Sequence, residues 1–255
     1  MQKILSQVRR ACEDYNLIEN GDKIAIGLSG GKDSLTLLKA LAMYSRFSKQ
    51  KFTLEAISVD LFNGASDYQK LKEFCDSLNV PFTAIKSNIY SVLFEDRKEK
   101  NPCSLCSKLR RGALNEKALE LGCNKVALGH HADDLIETFF LSMFYEGRLS
   151  SFHPISYMDR TGLTVIRPLI YVEEKDIVGV VKREQFPVMF NCCPANKHTQ
   201  REYVKQLLNS IKKDIPFVKE RIHGALIHKE RYNLFDKIEI TQELLKSIKK
   251  CDEKE

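Results

Sequence analysis

Residues 29–34 read Ser29-Gly30-Gly31-Lys32-Asp33-Ser34. The apolar run 24–28 before them is typical of a buried parallel strand, and the leucine-rich run 35–41 after them is typical of a helix. A glycine pair between a strand and a helix N-terminus lets backbone N–H groups approach a phosphate, and the two serines add hydroxyl donors. We therefore predict a phosphate-binding loop over these six residues.

This loop differs from the common P-loop, which requires Gly, four residues and then Gly-Lys-Ser/Thr. Asp33 stands where Ser or Thr is needed, and Ile26 stands where the first Gly is needed. From turn chemistry alone, a simple Gly-rich turn is the alternative. The string Ser-Gly-Gly-x-Asp-Ser, however, resembles the pyrophosphate-binding loop of the PP-loop ATPases. That resemblance implies cleavage of ATP between its α- and β-phosphates and adenylation of a carbonyl or carboxyl oxygen.

Composition narrows the class of protein. The 255-residue chain is 43% hydrophobic, which suits a sizeable core and excludes a disordered chain. Its net charge of +6 suits a polyanionic partner such as RNA without requiring one. No signal peptide or membrane-spanning run is recognised, so we expect a cytoplasmic protein without a membrane partner. In that compartment, eight cysteines favour metal or redox chemistry over structural disulfides.

Strand and helix patterns alternate along the chain. Further strands are predicted at 52–59, 80–85, 125–129 and 164–166, and helices at 1–20, 67–79, 104–121 and 133–145. This order predicts an α/β fold with a doubly wound parallel sheet of about five strands. We expect a catalytic domain over 1–190 and a small, basic helical region over 191–255. The phosphate loop, Asp60 and Gly129 all follow strands, so we expect them to share one site at the carboxyl edge of the sheet.

A second motif, Gly129-His130-His131-Ala132-Asp133-Asp134, places ionisable groups at a strand-to-helix junction. The carboxylates suit Mg²⁺, which binds oxygen ligands and substrate phosphates, and the imidazoles can donate to a phosphate or orient a base. Helix capping by the aspartates is the plain alternative. Zinc is disfavoured because two adjacent histidines project in different directions.

A third motif is the pair Cys103 and Cys106, whose spacing suits a metal site, an iron–sulfur cluster or a redox dithiol. Cys192 and Cys193 are the only other concentrated thiols. Because adjacent side chains rarely serve one metal, a zinc site of four thiolates is disfavoured. Three thiolates would leave one iron of a [4Fe–4S] cluster open to bind sulfide. The other four cysteines are isolated: Cys12, Cys75, Cys123 and Cys251. Three of these four sit at apolar helix or strand positions, and we expect those three only to pack in the core.

With these motifs, almost the whole chain resembles the tRNA 2-thiocytidine synthetase family, PP-loop enzymes that thiolate cytidine 32 in the anticodon loop. The most specific further strings are Pro102-Cys103-Ser104-Leu105-Cys106 with Leu109-Arg110-Arg111-Gly112, and Arg167-Pro168-Leu169 with Glu174-Lys175-Asp176-Ile177. The chain departs from the family at Ala132, where Arg is usual, and in its C-terminal segment. These departures bear on the identity of the RNA and of the modified nucleotide.

The resemblance implies an ATP-dependent tRNA sulfurtransferase with ATP, Mg²⁺ and a [4Fe–4S] cluster. Adenylation activates C2 of the cytidine, pyrophosphate leaves, and sulfide then expels AMP. The predicted site residues are the cluster and catalytic thiols Cys103, Cys106 and Cys193, with Cys192 as the alternative ligand; the catalytic carboxylates Asp33, Asp133 and Asp134, of which Asp33 and Asp134 hold Mg²⁺; and the nucleotide-binding Ser29, Gly30, Gly31, Lys32, Asp33, Ser34, Asp60, Gly129 and His130.

Partners and rivals follow from the same resemblance. Lys32, Arg110, Arg111 and the basic C-terminal helices are expected to contact phosphates of ATP or RNA. We expect the anticodon loop of tRNA as substrate and a sulfur donor such as a cysteine desulfurase, and a homodimer is left open. The nearest rival is a cluster-dependent 2-thiouridine synthetase, although the C-x-x-C pairs that several such enzymes carry at both ends are missing. A non-catalytic nucleotide-binding iron–sulfur sensor is the rival from another class.

Overall fold

The computed structural model describes residues 1–61, 67–96, 102–189 and 200–228, together with Glu230 and Tyr232. Its strands are β1 (Lys23–Gly27), β2 (Thr53–Asp60), β3 (Phe82–Lys86), β4 (Lys125–Ala127), β5 (Ile155–Met158) and β6 (Leu163–Ile166). Its helices are α1 (Gln2–Asp14), α2 (Lys32–Tyr44), α3 (Gln69–Ser77), α4 (Ile89–Ser91), α5 (Pro102–Glu120), α6 (Ala132–Leu141), α7 (Glu174–Arg183), α8 (Gln200–Asp214) and α9 (Val218–Ile227). Two π-helical segments, Val92–Asp96 and Ser142–Glu146, extend α4 and α6.

The strands form one sheet in the order β3-β2-β1-β4-β6-β5. All neighbours are parallel except β5, which pairs with β6 in the antiparallel sense at the edge. The order reverses direction between β1 and β4, and α/β sheets bind ligands at such a switch point. The predicted doubly wound parallel sheet is confirmed. The sequence does not predict β5, because its four residues are half polar and too few to show a clear alternation.

Helices cover both faces of the sheet because the strand side chains alternate between two apolar cores. Ile24 and Ile26 of β1 enter the larger core, which is shared with α1, α2 and α7, whereas Ala25 enters the smaller core beneath α5. The two isoleucines are fully buried, and burial of each such side chain contributes about 1.5–3 kcal/mol. Burial on both faces explains why the sequence of β1 is continuously apolar.

A buried lysine stabilises the amino-terminal edge of the sheet, opposite the phosphate loop. Lys125 begins β4 and is 4% exposed. Its Nζ lies 2.9 Å from Asp22 and 3.2 Å from Glu19, and it donates to the carbonyl of Leu17 at 3.1 Å. These partners offset the cost of burying the ammonium group and fasten the turn after α1 to the sheet.

The described C-terminal helices pack against α6. Val204 and Leu208 of α8 form a small apolar cluster with Ile136 of α6, and Leu226 of α9 contacts it. A domain division after residue 190 stays a prediction. None of the described helices is long and apolar enough to cross a membrane.

Candidate active site

The phosphate loop exposes the N-terminus of α2 at the carboxyl end of β1. Gly30 has a φ of +76°, which a residue without a Cβ adopts without strain, and Gly31 is the N-cap of α2. Among the described residues, no side chain caps this terminus, so the first N–H groups of α2 remain available to an anion. Ser34 Oγ lies 3.1 Å from Ser29 Oγ and donates to the Gly31 carbonyl at 3.0 Å, which holds the turn closed.

Two close approaches to glycine fix the position of this loop. A Cβ on Gly129 would lie 3.1 Å from the carbonyl carbon of Asp33 and 3.2 Å from the nitrogen of Ser34, so the end of β4 packs directly on the first turn of α2. A Cβ on Gly30 would lie 2.9 Å from the sulfur of Met189, whose backbone N–H donates to the Gly30 carbonyl at 2.9 Å. A side chain at either position would force its neighbours to shift.

Charged side chains from three helices meet beside the loop. Lys32 Nζ lies 2.9 Å from Asp33 Oδ1 and 3.1 Å from Glu174 Oε1, and Lys205 Nζ lies 2.8 Å from Glu174 Oε2. Burial disfavours the charged form of Lys32, but Asp33 and Glu174 outweigh it and raise its pKa. Burial likewise opposes ionisation of Glu174, but pairing with Lys205 and Lys32 lowers the pKa of that carboxyl to about 2. Glu174 therefore links the phosphate loop to α8 as a carboxylate.

His131 caps α6 and lies close to both predicted magnesium ligands, Asp33 and Asp134. Its Nδ1 accepts the N–H of Asp134 at 3.4 Å, while Asp134 Oδ2 accepts the N–H of His131 at 3.0 Å, forming a capping box. Because Nδ1 is an acceptor, Nε2 carries the proton. Nε2 lies 3.4 Å from Asp134 and 3.6 Å from Asp33, so both carboxylates are close to the same imidazole nitrogen.

Asp133 joins three helices. Its Oδ2 accepts the backbone N–H of Glu174 at 2.8 Å, and its Oδ1 lies 3.1 Å from Lys219 Nζ. Burial opposes ionisation, but the Glu174 N–H and the Lys219 ammonium outweigh it and lower the pKa of Asp133. The carboxylate ties α6 to α7 and α9, and its predicted catalytic role stays a prediction.

His130 lies beyond the end of β4, beside Phe152. The two ring centroids are 5.1 Å apart, and the guanidinium of Arg167 lies 5.1 Å from the same phenyl ring. Burial lowers the pKa of His130 to about 4, so its imidazole is neutral at pH 7. Its buried Nδ1 has no hydrogen-bond partner among the described residues. That nitrogen is free to bind a ligand atom.

Cys103 and Cys106 occupy the first turns of α5, which returns antiparallel to the strands. Further along α5, a methyl of Leu114 lies 3.0 Å from the position of a Cβ on Gly27, at the end of β1. Cys106 and Cys103 precede Leu114 by two and three helical turns, about 12 and 17 Å along the axis. Cys103 is exposed and Cys106 is half-buried. The thiols therefore overhang the carboxyl edge of the sheet and do not lie in the loop itself.

The other described thiols have the packing role that we predicted. Cys12, Cys75 and Cys123 are buried. Burial raises the pKa of Cys12 to about 12, that of Cys75 to about 12, and that of Cys123 as well. Cys192, Cys193 and Cys251 lie outside the described residues. Within those residues, no group of three or more His, Cys, Asp and Glu side chains is arranged to hold a metal ion.

The structure gathers the phosphate loop, Gly129, His131 and Asp134 at one edge of the sheet. Asp60, the buried last residue of β2, ends its strand at the same edge, and its carbonyl accepts the N–H and hydroxyl of Ser87. Four charged residues that close this site were not predicted as site residues: Glu174, Arg201, Lys205 and Lys219. The only signals for them in the sequence were the basic composition of the C-terminal region and the string at 174–177. Arg201 lies 3.2 Å from Glu137 and 3.7 Å from Asp134.

Comparison with known proteins assigns the family. Residues 2–212 match the PP-loop domain family. Proteins named tRNA-cytidine(32) 2-sulfurtransferase from Aliivibrio fischeri, Geobacter metallireducens and Geotalea uraniireducens are 39%, 39% and 38% identical to this chain. Each match covers 92% of this chain, and they cover 79%, 93% and 94% of the relatives. The chain belongs to this sulfurtransferase family. Membership confirms the predicted family and makes the chain an enzyme of the sulfur-transferring class.

A solved structure supports the fold of this sulfurtransferase. It is the U34-tRNA thiolase NcsA from Methanococcus maripaludis with its [4Fe-4S] cluster. The TM-score is 0.72 at 23% identity, over 89% of this chain and 78% of NcsA. At that identity the likeness establishes a shared architecture, and the cluster belongs to NcsA.

Proposed function

We propose that the chain uses ATP to replace the C2 oxygen of a tRNA cytidine with sulfur, at position 32 of the anticodon loop. The observation that carries the proposal is the uncapped N-terminus of α2 behind Gly30 and Gly31, in a chain whose relatives are named for that reaction. A cytoplasmic location follows from the proposed substrate. The cysteine desulfurase as sulfur donor stays a prediction.

The phosphate loop suits the activation step. The cytosine C2 oxygen is a poor leaving group, so it attacks the α-phosphate of ATP and becomes an AMP ester while pyrophosphate departs. Open N–H groups at the start of α2, the serine hydroxyls and Lys32 are placed to stabilise the charge that develops on pyrophosphate. Lys32 exchanges its pairing with Asp33 and Glu174 for the phosphates.

Asp33 and Asp134 fit the proposed Mg²⁺ site. Each has a carboxylate oxygen within 3.6 Å of His131 Nε2, and Mg²⁺ usually binds one or two carboxylates together with substrate phosphates and water. A site of that kind needs no cage of protein ligands. When bound, the ion would neutralise phosphate charge.

The thiols fit a [4Fe–4S] cluster held by Cys103, Cys106 and Cys193, with Cys192 as the alternative. The first pair is accessible and one turn apart at a helix N-terminus, which favours negative charge. The buried thiols of the two cores cannot reach such a group. A U34-tRNA thiolase of the same architecture, NcsA, carries a [4Fe-4S] cluster. When bound, the cluster would supply an open iron for the sulfur that is transferred.

Chain connectivity supports convergence of the third thiol on this site. Met189 is hydrogen-bonded to Gly30, and Arg201 is paired with Glu137 and Asp134, so both ends of the segment 190–199 are attached near the phosphate loop.

Mass spectrometry of tRNA nucleosides tests the proposal. Cells lacking the protein should lose 2-thiocytidine, and the wild-type gene should restore it. The Cys103→Ala variant should fail to restore it, whereas Cys123→Ala, which alters a buried packing thiol, should succeed. Loss of 2-thiouridine instead would assign a uridine thiolase, and an unchanged nucleoside profile would favour a non-catalytic sensor.

A further inference from the structure

Arg167 presents an unsatisfied cationic group at the carboxyl end of β6. Its Nη1 donates to the carbonyl of His153 at 2.6 Å and to Ser156 Oγ at 3.3 Å, and its guanidinium packs on Phe152. Its buried Nε has no hydrogen-bond partner among the described residues. The guanidinium is therefore held in a fixed orientation with at least one donor unused.

Arg111 approaches the same point from α5. Leu114 lies one turn further along α5. Its methyl group lies 3.0 Å from the position of a Cβ on Gly27, the last residue of β1, and a methyl group of Leu128 lies 3.1 Å from the same position. Leu128 in turn donates to the carbonyl of Ile166, which precedes Arg167. Arg111 precedes Leu114 by three residues, so it lies near the same face of α5, one turn closer to the carboxyl edge of the sheet. Burial, and then the positive charge of Arg111, lower the pKa of Arg167 to about 10, so the Arg167 guanidinium stays cationic at neutral pH.

A second positive charge close to a guanidinium whose buried Nε lacks a partner among the described residues is unfavourable, and an anion bound between the two groups would relieve this cost. None of the ion pairs between described residues involves either guanidinium. We infer that Arg111 and Arg167 form a binding site for a backbone phosphate of the RNA substrate. This inference rests on the proposed function, and it adds a specific contact to it.

Position favours a phosphodiester over the phosphates of ATP. The end of β6 is two strand spacings, about 10 Å, from the end of β1, where the phosphate loop already supplies donors. Arg111 lies about 8 Å along α5 from Cys106. The cytidine has to reach both the phosphate loop and the thiols, so we expect the RNA backbone beside it to run through this region. Arg111 is exposed, so a long polyanion can reach it, and guanidinium groups match the geometry of phosphate oxygens.

Binding measurements on Arg111→Gln, Arg167→Gln and the double variant test the inference. The probes are a full-length tRNA transcript, titrated at several salt concentrations, and ATP alone. Arg46→Gln is the matched control, because Arg46 is exposed beyond the far end of α2 and has no ion pair among the described residues. Arg111→Gln also guards against misfolding, since that side chain is exposed and the Arg167 anchors stay intact.

Each single variant should bind tRNA about ten-fold more weakly and show a salt dependence reduced by about one released ion, with ATP affinity unchanged. If both arginines grip one phosphate, the double variant should lose less than the product of the single losses. Wild-type tRNA affinity in Arg111→Gln, or weakened ATP binding, overturns the inference while leaving thiolation and the proposed function intact. Failure of the wild-type protein to bind tRNA overturns both.

Discussion

The Glu174→Gln substitution measures how strongly the ion pairs beside the phosphate loop stabilise the fold. A fall of the carboxyl pKa from 4.5 to about 2 corresponds to about 3 kcal/mol of preference for the charged form. Lys32 and Lys205 are 31% and 33% exposed, so solvent screens the pairs, and we expect a loss of about 1–2 kcal/mol at pH 7. The measurement is urea unfolding of both proteins at pH 7, 5 and 3.

The pH dependence has a definite sign. Because folding lowers the pKa of Glu174, its contribution is full above about 4.5, the ordinary value, and is lost as the pH falls toward about 2. The difference between the two proteins should therefore be equal at pH 7 and 5 and clearly smaller at pH 3. Glu173→Gln is the control, since its lysine partners are 59% and 57% exposed and its loss should stay below about 0.5 kcal/mol. Equal stability of Glu174→Gln and wild type at pH 7 would refute the reasoning.

Three further substitutions or reactions probe other parts of the structure. Gly129→Ala should lower the free energy of unfolding in urea by about 1–3 kcal/mol and weaken ATP binding, because the new methyl group contacts the backbone of α2. The control Gly179→Ala, which has open space around it, should raise the free energy of unfolding by up to about 1 kcal/mol. Equal effects of the two substitutions would contradict this packing. Lys125→Met should cost about 3–5 kcal/mol, since it leaves a buried carboxylate without its partner, and a near-neutral result would show that the pair is dispensable. In cluster-free protein, a thiol reagent should label exposed Cys103 rapidly and Cys75, buried with a pKa near 12, only after unfolding; similar rates would disprove the assigned burial.

The sequence predicts the sheet well because strands that are buried on both faces have continuously apolar sequences. Ile24 and Ile26 show this for β1. The antiparallel edge strand lacks that signal, since Ile155 and Tyr157 are exposed. Helix ends are also harder to predict from the sequence. The helix predicted over 1–20 ends at Asp14, and Asn16 then adopts a φ of +48°, although the apolar pattern continues through 17–18.

Some residues of the candidate site could likewise be predicted from the sequence, and others could not. Residues at the ends of parallel strands were predictable together, because topology brings those ends to one edge. Glu174 and its partner Lys205 were not, because no periodic pattern connects Lys32 with residues so far along the chain. Helix capping, the alternative considered for the second motif, is observed: Asp134 and His131 form a capping box at the start of α6. This capping does not exclude the predicted site at the same residues. Helix geometry, and not the C-x-x-C motif itself, shows that Cys103 overhangs the edge.

The most direct test of the proposed chemistry is the nucleotide product formed during thiolation. Anaerobically purified protein is incubated with tRNA, Mg-ATP and a sulfide source, and 2-thiocytidine, AMP and ADP are quantified together. The account predicts one AMP for each 2-thiocytidine formed and no ADP, because the phosphate loop stabilises departing pyrophosphate. Formation of ADP, or of 2-thiocytidine without AMP, would contradict it.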